Sequence, residues 1–135
     1  MRIKKMPAEL SNLHELLAFI TGMAGEAGLT TDALNRLELV AEEALVNIIK
    51  HAYPSSPGDV EVRLSAGVGP SLIAEIRDAG VAFDPLQKPD PDISAGLDER
   101  KVGGLGVFMM HKMADRLAYR RDQNQNVLTL TFLNR

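Results

Sequence analysis

Apolar residues recur at helical spacing in two early stretches of the chain. Leu13, Leu16, Leu17 and Ile20 mark a first helix from Leu10 to about Ala27, with Ser11 as a candidate cap and Glu15 in its first turns. After the break at "GEAGLTTD", Thr31 opens a second helix that runs to about Ala52 and is stopped by Pro54. Alternation marks the strands. "RIKKM" reads as a short one closed by Pro7. "VEVRLSAG" and "SLIAEIRD" form a hairpin after the "SSPGD" turn, and "RLAYRRD" and "NVLTLTFL" flank a "QNQN" turn. Beyond Asp78 the pattern dissolves into a polar stretch holding Pro85, Pro89, Pro91 and Gly96, until "GGLG" opens a third helix from about Leu105 to Asp115. This order predicts an α+β fold, with one mixed or antiparallel sheet and helices on one face. There is no internal repeat or boundary, so residues 1–135 read as a single domain.

Composition changes this picture mainly by exclusion. Apolar residues make up 45% of the chain, enough for a core, and the net charge of −3 gives no basic footprint for direct nucleic-acid binding. The lack of cysteine removes disulfides, thiolate metal sites and cysteine nucleophiles. Neither a signal-peptide core nor a membrane-length apolar run is present, so the expectation is a soluble cytoplasmic protein with no membrane partner.

Candidate chemistry begins on the second helix. At about 100° per residue, Leu37, Ala41, Ala44 and Ile48 form the core-facing stripe, and Glu38 and Glu42 turn away from it. Glu43 and Asn47 lie together on the other flank, one helical turn apart. They read either as a hydrogen-bonded surface pair or as a proton acceptor beside a neutral oxygen ligand for Mg²⁺ shared with phosphate. In "IRDAGVAFDP", Asp78 is either a turn former or an acceptor for the exocyclic amine of adenine, and Gly80 would let a flat base approach the backbone. In "VGGLGVFMMHKMAD", Gly104 and Gly106 open a helix. They are hinge glycines or a phosphate seat at the positive end of the helix dipole, though neither a P-loop nor a Rossmann fingerprint is present. Phe108, Met109 and Met113 read as core packing, and the scattered His14, His51 and His111 do not suggest a metal site.

Taken in order, "EEALVNIIKHAY", "DAGVAFDP" and "GGLGVFMM" resemble the three ATP-binding boxes of the superfamily that includes gyrase, histidine kinases and MutL. The form E-A-x-x-N-x-x-x-H-x-Y followed by D-x-G-x-x-F-D-P is most similar to the bacterial anti-sigma-factor serine/threonine kinases. The resemblance implies a Bergerat-type ATP-binding fold: a two-layer α/β sandwich with a mixed, mostly antiparallel sheet, and a lid over about residues 86–101. It implies Glu43 as general base, Asn47 as the Mg²⁺ ligand, Asp78 as the reader of adenine with Gly80 beneath the base and Phe83 nearby, and Gly104, Leu105, Gly106 and Val107 around the phosphates. Val102 stands where some relatives carry a basic residue, so Arg100 and Lys101 are the nearest candidates for the γ-phosphate. His51 and Tyr53, at the end of the first box, are expected to be structural or to line the nucleotide pocket.

By the same resemblance the cofactors are ATP and Mg²⁺, the partners are a sigma factor and a small antagonist protein phosphorylated on serine or threonine, and the chain is a homodimer. Two alternatives stand beside this kinase: a nucleotide-binding regulatory module without kinase activity, and the detached catalytic domain of a histidine kinase. The latter is normally joined to a dimerisation helix bearing the phosphorylated histidine, a context that His14 lacks.

Overall fold

Alternating side chains build a five-stranded sheet in the computed structural model, which describes residues 1–87 and 104–134. The strands are β1 (Arg2–Pro7), β2 (Asp59–Ser65), β3 (Ser71–Asp78), β4 (Arg116–Asp122) and β5 (Gln125–Leu133), in spatial order β1-β2-β3-β5-β4. Every neighbouring pair is antiparallel, which decides between the mixed and antiparallel alternatives. The pairing of β3 with β5 is what brings distant sequence together, in the register Leu72↔Phe132, Ala74↔Leu130, Ile76↔Leu128 and Asp78↔Asn126.

The helices are α1 (Leu13–Glu26), α2 (Thr31–His51) and α3 (Gly104–Met113). Helix α2 starts where Thr30 Oγ1 accepts a hydrogen bond from Ala33 N at 3.2 Å. Asp32 in its first turn and Lys50 and His51 in its last complement the helix dipole. Its core stripe is as expected: Leu37, Ala41 and Ala44 are buried, and Ile48 packs against the core, joined by Val40 and Leu45. Helix α1 differs at its start. Residues Leu10–Asn12 form a 3-10 turn, Ser11 caps nothing, and Asn12 instead donates to Pro7 O at 2.9 Å.

Helix and sheet meet over Leu16, Ile20, Leu64, Leu72, Leu130 and Phe132, all fully buried. At this spacing each contributes roughly 1.5–3 kcal/mol by leaving water. The opposite sheet face is half-buried and charged, with Arg63 on Glu61 at 2.6 Å and Arg77 on Glu75 at 3.0 Å. Among the described side chains of α3, Met110 is fully buried and Met113 packs against the core. Phe108 is not among the core side chains, and Lys112 lies 5.2 Å above its ring. The inward row of the sheet is apolar until its end, where it finishes in the polar pair Asp78 and Asn126. The cleft opens there.

Candidate functional site

A cleft of about 680 Å³ lies between α2, α3 and the ends of β3 and β5, within the range that takes a small-molecule ligand. Glu43, Asn47 and His51 enter it from α2, Asp78 from β3, Phe83 from the following loop and Asn126 from β5. Glu43 and Asn47 share this wall because one helical turn separates them on a helix whose other side is core. No hydrogen bond joins them, and among the described residues neither side chain has an ion pair or hydrogen-bond partner. They are half-buried polar groups left available to the cleft, which is the opposite of a self-satisfied surface pair.

Asp78 is 5% exposed. Its Oδ1 accepts from Gly80 N at 3.0 Å and from Asn126 Nδ2 at 2.9 Å. Its Oδ2 takes no hydrogen bond among the described residues. The carboxylate thus has one oxygen committed to the protein and one free to accept from a ligand in the cleft. Phe83 stands at the cleft mouth and is 41% exposed, with Val81 nearby at 52%. Exposed apolar side chains at a cleft rim are the kind of surface a flat aromatic ligand covers.

The two glycines of the site have neighbours that local sequence did not disclose. A Cβ on Gly80 would come within 2.2 Å of Ala52 O. The bare Cα therefore lets the loop after β3 abut the C-terminal end of α2, where Val81 N donates to Ala52 O at 2.9 Å. This contact is by itself enough to require glycine there. A Cβ on Gly106 would come within 1.9 Å of Glu43 Oε1. The first turn of α3 is thus closed against the Glu43 carboxylate, and the missing side chain is the space that carboxylate fills. Gly104 begins α3. Arg100, Lys101 and Val102, and the expected lid from residue 88 onward, lie outside the described residues.

Tyr53 is structural, as expected of the end of the first box. Its hydroxyl accepts from Ala79 N at 2.8 Å and donates to Asp59 O at 2.5 Å, fastening the exit of α2 to β2 and β3. Loss of surrounding water pushes its phenol above the usual range, so it remains a donor. His51 is an exposed residue of the cleft wall. His14 and His111 are exposed, and no three His, Cys, Asp or Glu side chains among the described residues cluster to hold a metal. A lone amide beside a carboxylate is no cage. It suits a hydrated Mg²⁺ that takes its other ligands from phosphate oxygens and water.

Asn126 was not singled out from the sequence, where it stands at the join of the "QNQN" turn and the "NVLTLTFL" strand. The turn is shorter. Gln123 and Asn124 alone carry positive φ, at 49° and 66°, and Asp122 already pairs with Gln125. Asn126 is in phase with Leu128, Leu130 and Phe132, and that period of two was the available signal for an inward-facing polar residue. It is 7% exposed and makes hydrogen bonds in both senses. Nδ2 donates to Asp78 Oδ1 and, at 2.8 Å, to Val81 O. Oδ1 accepts from Phe83 N at 3.2 Å, Tyr119 Oη at 2.6 Å and Arg121 Nη1 at 3.1 Å. Arg121 Nη1 also donates to Gly80 O at 3.0 Å.

The family model of the histidine kinase-like ATPase domain matches residues 6–132. The serine/threonine-protein kinase BtrW of Bordetella bronchiseptica is 36% identical over 96 residues, a match that covers 70% of this chain and 67% of that protein. The serine-protein kinase RsbW of Bacillus velezensis is 29% identical over 136 residues, covering 96% of this chain and 84% of that one. Among solved structures, the histidine kinase domain of the Erythrobacter litoralis blue-light activated histidine kinase superposes with a TM-score of 0.56 at 18% identity, covering 90% of this chain and 59% of that one. At that identity the likeness is one of fold.

Proposed function

The chain belongs to the histidine kinase-like ATPase domain family, and on that premise we propose that it is an ATP-dependent protein serine/threonine kinase that serves as an anti-sigma factor. Its phosphoacceptor is a small antagonist protein. The other partner is a sigma factor, which the unphosphorylated antagonist displaces and the phosphorylated one does not. The protein works as a cytoplasmic homodimer of single-domain subunits. The relatives named as serine and serine/threonine kinases support the reaction class. The observation that carries it in this chain is that Glu43 and Asn47, with no partner among the described residues, line the same cleft as the half-committed carboxylate of Asp78.

In this reading adenine sits at the β3–β5 end, with its amine donating to Asp78 Oδ2 and its ring near Phe83. The triphosphate runs towards the first turn of α3, where the free backbone N–H groups of Gly104 to Val107 and the helix dipole favour anions. Arg100 and Lys101 are the proposed cations for the γ-phosphate. Asn47 would hold Mg²⁺, which supplies charge neutralisation to the phosphates when bound. Glu43 accepts the proton of the incoming serine or threonine hydroxyl. The oxygen bonds to the γ-phosphorus, the bond to the β-phosphate oxygen breaks, and ADP leaves.

Incubating the protein with ATP and an antagonist bearing an acceptor serine tests this. The expected product is an acid-stable phosphoserine protein. Glu43→Gln should lower the transfer rate by about 10²–10⁴-fold while leaving the Kd for ATP near the wild-type value. Normal transfer by that variant removes Glu43 from its role. An acid-labile product would turn the reading to a histidine kinase, and tight ATP binding without any transfer to a nucleotide-sensing module.

A further inference from the structure

The ends of β3 and β5 hold a polar network that the proposed reaction leaves unexplained. We infer that Asn126 is a positioning residue that sets base selectivity: its amide clamps Asp78 and the Gly80–Phe83 loop in the one arrangement that accepts a hydrogen bond from a purine 6-amino group. The inference rests on the reading that Asp78 receives the adenine amine.

The argument starts from what the amide touches. Its NH₂ faces two acceptors, Asp78 Oδ1 and Val81 O. Its oxygen faces three donors, from Phe83 N, Tyr119 Oη and Arg121 Nη1. Only one orientation of an asparagine satisfies both sides, since turning the amide over would set oxygen against oxygen and N–H against N–H. No other side chain of this size offers paired donors on one side and an acceptor on the other. Asn126 is therefore saturated and has nothing left for a ligand. Its effect must pass through its neighbours.

Two of those neighbours matter to a bound base. By occupying Oδ1, Asn126 and Gly80 N fix the plane of the Asp78 carboxylate, so the acceptor left in the cleft is Oδ2. By holding Val81 O and Phe83 N together, Asn126 also sets the loop whose apolar side chains rim the cleft. Arg121 braces the same unit through Gly80 O. A fixed acceptor-only carboxylate favours a 6-amino purine and repels the 6-oxo group of hypoxanthine or guanine, because buried acceptors facing each other go unpaired.

The test compares the Kd values of ATP and inosine triphosphate, by calorimetry at fixed Mg²⁺, for the wild type, Asn126→Asp, Tyr119→Phe and Arg121→Gln. The wild type should prefer ATP on the order of 10- to 100-fold. Asn126→Asp keeps the acceptor for Tyr119 and Arg121 but removes both donors and sets two carboxyl groups face to face. One of the two must then take a proton. The Asp78 side then presents a donor as readily as an acceptor, and the preference should fall towards unity. Tyr119→Phe and Arg121→Gln each remove one tie and should give intermediate preferences. A purely structural role would weaken both nucleotides equally, so an unchanged ratio in Asn126→Asp overturns the inference. If that variant does not unfold cooperatively, unchanged ratios in the other two overturn it instead. A wild type that binds ATP without preferring it is a different result, because it removes the Asp78 reading on which the inference stands.

Discussion

At the scale of single residues, the site is shaped as much by absent atoms as by present ones. Gly80 and Gly106 both sit where a Cβ has no room, but their obstacles differ. Gly80 faces the backbone of Ala52, which cannot give way, whereas Gly106 faces the end of the Glu43 side chain, which can. Gly106→Ala should therefore leave the midpoint of thermal unfolding nearly unchanged yet swing the proposed base away from its place. A displacement of about 1 Å in a reacting group lowers a rate by roughly 10²-fold. The expected result is a fall in kcat with a smaller change in the KM for ATP. A change confined to KM would mean that the alanine disturbs only phosphate contacts.

Among the elements, α3 is the one whose placement decides whether Glu43 meets the proposed phosphate end, and Arg36 ties α2 to the end of α3. The residue as a whole is only 8% exposed. It donates from α2 to Met113 O at 2.8 Å and Leu133 O at 3.1 Å, to Asp32 Oδ2 at 3.1 Å, and lies 5.9 Å from the Phe132 ring. Arg36→Met keeps much of the volume but removes every side-chain donor, leaving the part-buried carbonyls of Met113 and Leu133 without their charged partner. A loss of about 3 kcal/mol is expected in denaturant unfolding, with α3 losing hydrogen-exchange protection ahead of the sheet. The elements themselves were legible. The second helix and the strands from Ser71 to Asp78 and Arg116 to Asp122 lie where periodicity puts them. What local pattern did not carry was tertiary. Ser11 looks like a cap only until the chain is seen to enter α1 through a 3-10 turn, and local sequence does not say that Met110 enters the core where Phe108 does not. Of the site, Glu43, Asn47, Asp78 and Phe83 could be gathered from spacing and resemblance. Asn126 was not, because its place at the join of a turn and a strand gave no sign of the five hydrogen bonds that long-range pairing brings to its amide.

Over the whole molecule, ligand binding and stability are linked through the cleft. No helix of the described residues is long and apolar enough to cross a membrane. At a hundredfold excess over its Kd, ATP with Mg²⁺ should add about 2.7 kcal/mol to stability, which for a chain of this length raises Tm by roughly 10 °C. Removing Mg²⁺ with a chelator should shrink that shift. In Asn47→Ala the chelator should make no difference, and a shift that still depends on Mg²⁺ in this variant would place the ion elsewhere. The sheet order has a consequence of its own. Strand β5 follows every other described element in sequence but lies inside the sheet, between β3 and β4. It brings Leu130 and Phe132 to the core and Asn126 to the cleft. A chain in which β5 has not yet been made or has not yet docked therefore has a gap in the middle of its sheet and half a cleft floor. The cleft should become competent to hold a ligand in one step, when β5 slides into place.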